Sequence, residues 1–327
     1  MELITNKKII NLRFLAILLV VIGHSIILYD PTWGYYDTIY SVPILVIIKK
    51  IINCIQMPLF FSISGFLFYF SLPKIKNIFD FAKKKFLRII IPFIIVGLLY
   101  FIPIRYLIGY YNGNLIKNII NMFIGKDVGH LWFLPTLFLM FICYYYIGKI
   151  IEKYNKKVET PILLVLTLAS MISSLAPSYF GNLFKYLIYF HLGYEINKLG
   201  LYNMKNSKTI ISTICCILLL IVYLFLYDTL NKYVINIFML LIGLTACISL
   251  YNIIPEKNNK IINKISTDSF GIYLFHSPLC YISFKYLGNC NPIIVISINL
   301  LFAIVAMIIT NILRNIKLEF IIGERRK

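Results

Sequence analysis

Ten apolar runs divide the chain, at roughly 9–29, 51–71, 88–107, 131–150, 160–177, 183–198, 209–227, 234–252, 269–287 and 292–313. Each approaches the roughly 20 residues that carry a helix across a bilayer, the sixth being the shortest. The segments between them are short and polar, and the longest, about 108–130, is too short for a core of its own. The pattern predicts an all-α polytopic membrane protein of about ten transmembrane helices. It reads as a single domain over 1–327, with no separate soluble domain.

The first run, Ile9 to Tyr29, follows Lys7 and Lys8 and is about 31 Å long as a helix. A signal peptide has a shorter apolar core and a small-residue cleavage site, whereas this run ends in Tyr29, Asp30 and Pro31. It reads as an uncleaved first span. With the N-terminus in the cytoplasm, 24 of the 32 lysines and arginines fall on the inner side. Among them are Lys83, Lys84, Lys85 and Arg88, and Arg325, Arg326 and Lys327 at the other end. The other eight, including Lys49, Lys50 and Arg105, fall outside. A missed span would scramble this alternation, so both termini are expected in the cytoplasm.

Composition sharpens the class. The chain is 60% hydrophobic and 14% charged, with a net charge of +19 and a mean hydropathy of +0.83. Soluble domains carry about a quarter charged residues. Such a positive balance would suggest nucleic acid in a polar chain, but here the cations sit between apolar spans. Nucleic-acid binding and the soluble, disordered and secreted disulfide-rich classes are excluded. The seven cysteines form no C-x-x-C pair and have no nearby histidine at zinc-ligand spacing. They read as small membrane-core residues, and no metal is expected.

Polar side chains inside spans are expensive and usually have a task. In the first run Arg13 and His24 are eleven residues apart. Eleven steps of about 100° return a helix to within about 20° of its start, after a rise of about 16 Å. The two therefore share a stripe, with Ala16 and Val20 between them. Alone, Arg13 reads as a topogenic, snorkelling cation and His24 as an imidazole bonded to another helix. Aligned, they suit a fixed cation for a phosphorylated ligand and a deeper general base.

Further fragments add to this. Pro58 to Gly65 offers small residues for close packing, and Ser64 there has no G-x-S-x-G elbow that would make it a nucleophile. Lys85 and Arg88, at i and i+3 before Pro92, share a face if helical and could hold phosphates as well as anionic lipid. His130 with Trp132, His191 with Glu195, and Tyr273 with His276 complete the set, so all four histidines fall in or at spans. Glu195 reads as the one acid well inside a span, a candidate proton acceptor or arginine partner. For each alone, interhelical hydrogen bonding is the simpler role.

Taken in order, these pieces resemble the acyltransferase-3 family of bacterial integral-membrane acyltransferases over nearly the whole chain. The marks are Arg13 and His24 in the first span, and P-L-F-F-x-x-S-G from Pro58 to Gly65. Lys85, Arg88 and Pro92 follow, then H-L-W-F-L from His130 to Leu134 and Y-L-x-H from Tyr273 to His276. There are departures. Ile10 stands where the family often has Asp, and Lys85 replaces the first Arg of R-x-x-R, a point charge in place of a fork. No stretch matches the hydrolase-like domain that many members carry, so acceptor handling is expected in the membrane domain or with a partner protein.

The resemblance implies transfer of an acyl group, usually acetyl from acetyl-CoA, to a carbohydrate hydroxyl in the bacterial cytoplasmic membrane. In that frame Arg13, Arg88 and Lys85 bind the acyl-CoA phosphates at the inner face. His24 deprotonates the acceptor hydroxyl, or helps pass the acyl group across the membrane. Ser64, His130, Trp132, Glu195, Tyr273 and His276 are candidates for support, and a covalent acyl-enzyme on His or Ser64 has nothing in its favour. The expected partners are acyl-CoA as donor substrate, a surface or lipid-linked glycan as acceptor, and membrane lipid. No tightly bound cofactor is expected, and a homo-oligomer stays open. Two other readings stand beside this one: a flippase for lipid-linked sugars, and acyl transfer to an amino sugar, amino acid or antibiotic.

Overall fold

The computed structural model describes residues 2–30, 42–111, 113–154 and 156–324. It is 86% helical, and no strand occurs among the described residues. The first helices are α1 (Glu2–Ser25), α2 (Pro43–Ser71), α3 (Ile78–Leu107), the short α4 (Leu115–Phe123) and α5 (Phe133–Tyr154). Then come α6 (Lys156–Met171), α7 (Ser178–Lys198), α8 (Asn206–Leu226), α9 (Lys232–Ile253), α10 (Lys260–Leu287) and α11 (Pro292–Asn315). Every apolar run thus folds as helix. Among the described residues seven helices, α1, α2, α3, α5, α8, α9 and α11, are long and apolar enough to cross a membrane. The chain is an all-α, polytopic membrane protein.

Three of the ten expected spans fall short of that measure. Helix α6 has 16 residues, fewer than a crossing needs. Helices α7 and α10 are long enough but polar, carrying Lys185, His191 and Glu195, and Lys264, Asp268 and His276. Their middles, residues 186–191 and 271–278, are buried by protein, where polar side chains find partners that lipid cannot supply. By contrast α8 exposes Ile214, Ile217, Leu218 and Ile221, and α11 exposes Leu301, Ile304, Ile308 and Ile312. Those are faces suited to lipid.

Two boundaries differ from the sequence reading. Helix α2 begins at Pro43 rather than near 51, so Lys49 and Lys50 lie inside it and not in an outer loop. Lysine is a good helix former, and the side chain of Lys49 is buried against protein, only 4% exposed. Helix α10 begins at Lys260 rather than near 269, which takes in Asp268. Glu195 is therefore not the sole acid inside these helices. Asp268 is fully buried and is neutralised by Arg314 at 2.5 Å and Lys264 at 3.0 Å. Pro31, Arg325, Arg326 and Lys327 lie outside the described residues.

The chain divides into two compact units. The first comprises residues up to Ala16, Asn53–Ala82 and Thr136–Asn259. Its centre is a close crossing of α2 and α7. A Cβ placed on Gly65 would stand 1.8 Å from the carbonyl oxygen of Phe190, and one on Gly193 would stand 1.8 Å from that of Ser62. The two backbones touch where small residues permit it. Around the crossing Leu12, Leu59, Phe66, Ile196 and Tyr251 form a buried core, with the rings of Phe66 and Tyr251 stacked at 5.3 Å.

The second unit comprises Ile17–Ile52, Lys83–Pro135 and the chain from Lys260 onward. Leu28, Tyr29, Cys280, Phe284 and Val295 form one buried cluster in it, and Val42 and Leu45 pack against them. Helix α3 has two wide turns, Phe86–Ile90 and Gly97–Phe101. Each precedes a proline, Pro92 and Pro103, whose ring crowds the carbonyl one turn back. At the end of α3 the buried Arg105 pairs with Asp127 and lies 4.2 Å from the Phe101 ring centroid and 4.5 Å from that of Tyr110. That guanidinium ties the segment after α3 back onto the helix.

Candidate active site

Three histidines of the second unit meet. His24 comes from the last turn of α1, His276 from the middle of α10, and His130 from a tight turn at Gly129–Trp132. Their ring centroids are 5.0 Å apart for His24 and His276, 6.1 Å for His130 and His276, and 6.2 Å for His24 and His130. The turn that delivers His130 requires glycine. Gly129 has φ +52°, and a Cβ there would meet the Phe101 ring at 2.6 Å and Arg105 Nη2 at 3.1 Å. The Tyr273 hydroxyl donates to the His130 carbonyl, and the Tyr100 hydroxyl donates to that of Phe275 at 3.0 Å, fixing α10 beside His276.

The hydrogen bonds assign the protons. His276 Nδ1 lies 2.6 Å from the carbonyl oxygen of Ile272, an obligate acceptor, so Nδ1 carries the hydrogen. In the neutral ring Nε2 is then a lone pair. It stands 2.8 Å from His24 Nδ1, which must therefore donate. This leaves His24 Nε2 as a lone pair, and His24 is half-buried rather than sealed. His130 is set the other way. Its Nε2 donates to the Leu274 carbonyl at 3.1 Å, and its buried Nδ1 has no partner. Two imidazole lone pairs thus await a donor such as a hydroxyl.

Lys85 and Arg88 lie at the first wide turn of α3. Arg88 is exposed, and its Nε donates to the Gly323 carbonyl at 3.1 Å. That contact needs a glycine in the left-handed region (φ +66°), since a Cβ on Gly323 would come within 2.3 Å of the Arg88 carbonyl oxygen. The tail carrying Gly323 is held by Glu324, which takes a bidentate grip from Arg314 at 2.8 and 2.6 Å. Lys85 is half-buried and lies within the field of Arg88. The guanidinium is thus anchored through Nε, on the exposed side of the turn.

A sequence model of the acyltransferase domain matches residues 6–313. The chain belongs to the acyltransferase-3 family. No curated protein and no solved structure gives a significant match. Family membership makes the protein a membrane acyltransferase, and the histidine cluster is its candidate site.

Most of the remaining candidates belong to the first unit. Arg13 belongs to the first unit, where its charge is felt at Tyr251. Ser64, also there, donates its hydroxyl to the Phe60 carbonyl one turn back at 3.0 Å, a packing role. Glu195 lies 3.8 Å from Lys198, which bonds Glu159 at 2.5 Å, in an ion group of that unit. In the same unit His191 shares a hydrogen bond with the Tyr144 hydroxyl at 2.7 Å. Trp132, half-buried in the second unit, packs edge-on to Phe133. Sequence reasoning missed Tyr100 as a support of α10 and placed Lys49 in an outer loop, whereas it is buried within α2.

Proposed function

We propose that this acyltransferase moves an acetyl or other short acyl group from cytoplasmic acyl-CoA to a hydroxyl of a surface or lipid-linked carbohydrate. It would act as a multi-pass protein of a bacterial cytoplasmic membrane, with both termini inside. The observation that carries this reading is the prepared lone pair on His24 Nε2, backed by His276 and the Ile272 carbonyl. In the reaction His24 Nε2 takes the acceptor hydroxyl proton as that oxygen attacks the thioester carbonyl. The C–S bond then breaks, and the departing thiolate recovers the proton from the imidazolium. His276 stabilises the imidazolium by accepting from Nδ1.

Spacing supports a CoA donor. Phe101, whose ring packs 6.0 Å from that of His130, follows Arg88 by thirteen residues on α3. That is about 20 Å of helix, near the reach of an extended phosphopantetheine arm. Phosphates on Arg88 and Lys85 would then leave the thioester at the histidines. Arg13 enters this reading from the sequence alone. The test is membrane vesicles holding the protein, given acetyl-CoA labelled in the acetyl group. Alkali-labile label in glycan is expected, and label confined to unreacted acetyl-CoA would overturn the reading.

A further inference from the structure

We propose that Lys49 is a catalytic residue of the acyl transfer, its ammonium holding the oxyanion that forms on the thioester carbonyl beside His24. This inference rests on the function proposed above and adds the electrophilic partner that the histidines lack.

The placement follows from helix register within the second unit. Leu28 in the tight turn just after α1, Cys280 of α10 and Leu45 of α2 belong to one apolar cluster. Residues four apart on a helix lie one above another. His276 is one turn before Cys280 and stands 2.8 Å from His24, and Lys49 is one turn after Leu45. The histidine pair and the lysine therefore occupy the adjoining layer on three helices that already pack together. Electrostatics agree, since the charge of Lys49 is felt at His24 and that of Asp30 at Lys49. Lys49 is 4% exposed, and no hydrogen bond or ion pair within 4 Å holds its ammonium among the described residues.

A buried ammonium is costly unless something compensates it. A permanent salt bridge would do so at all times. An oxyanion does so only when the reaction needs it, which is the arrangement that accelerates chemistry. As the acceptor oxygen bonds to the carbonyl carbon, the C=O electron pair moves to oxygen and accepts from Lys49 Nζ. Collapse restores C=O and expels the thiolate. Lys49 keeps its proton throughout, and His24 alone carries the transferred one.

The test uses the full-length protein in lipid nanodiscs with acetyl-CoA and lipid-linked glycan extracted from source membranes, following thiol release. Lys49→Met should lower kcat by about 10²–10³-fold, the usual loss for one oxyanion donor, with the KM for acetyl-CoA changed less than about threefold and the thermal midpoint kept. Where the methionine variant is not recovered folded, Lys49→Gln, which keeps a polar head one atom shorter and without charge, should show the same loss. Full kcat in either variant, or a fallen midpoint with normal turnover per folded molecule, would reduce Lys49 to a structural lysine and overturn the proposal. An inactive wild type would fail the underlying function and the proposal with it, whereas active wild type with active variants fails the proposal alone.

Discussion

His24 Nδ1 and His276 Nε2 lie 2.8 Å apart, and the proton between them belongs to His24, because His276 has committed its own Nδ1–H to the Ile272 carbonyl. The second imidazole does for the first what a carboxylate does in hydrolytic triads: it fixes the tautomer and receives the growing positive charge. Being neutral, it stabilises that charge less, yet it needs no buried anion inside the membrane. His276→Ala should therefore lower kcat by about 10–100-fold while leaving the acetyl-CoA KM within about threefold. Steady-state kinetics in nanodiscs will check this, and a loss confined to KM would show that His276 serves donor binding.

Arg88 is anchored through Nε and presents its remaining N–H groups outward. Arg88→Ala should raise the KM for acetyl-CoA about tenfold or more with a smaller effect on kcat, because phosphate binding is shared by ground and transition states. Arg88→Lys should recover only part of it, since a point charge replaces a fork. An unchanged KM would make this arginine purely topogenic.

Gly323 supplies the carbonyl that holds Arg88, in a conformation other residues adopt poorly. Gly323→Val should reproduce the donor KM defect of Arg88→Ala in milder form, with Arg88 itself intact. Equal KM values for variant and wild type would separate the tail from donor binding.

The crossing of α2 and α7 leaves no room for a methyl group at Gly65. Gly65→Ala should cost about 1–3 kcal/mol or more through overpacking, read as a lowered thermal midpoint in detergent. A midpoint within 1 °C of wild type, on the order of the scatter expected for neutral changes, would mean that the helices are further apart than described. The charge at the end of α3 is tested similarly. Asp127→Asn leaves Arg105 buried without its counter-ion and should destabilise by about 3–5 kcal/mol.

The helices were legible because lipid-facing and protein-facing runs alike had to be apolar, as the Ile-rich α8 and α11 show. The histidines were legible too, since an imidazole inside such a run stands out. Their meeting point was not. It depends on the turn at Gly129 and on two backbone carbonyls, of Ile272 and Leu274, which no residue type announces. Lys49 was hidden for the opposite reason. A lysine pair at the edge of an apolar run ordinarily marks the membrane surface, and only the burial of one face of α2 shows that this lysine points inward. Asp268 was lost in the same way, its carboxylate masked by the arginine and lysine that neutralise it.

The most direct measurement is the single-turnover rate of acetyl transfer from labelled acetyl-CoA to lipid-linked glycan, by wild-type protein and by His24→Ala in the same nanodiscs. A general base at His24 Nε2 predicts a fall of about 10²-fold or more with donor binding retained. Equal rates in the two proteins would contradict it and return His24 to a packing role.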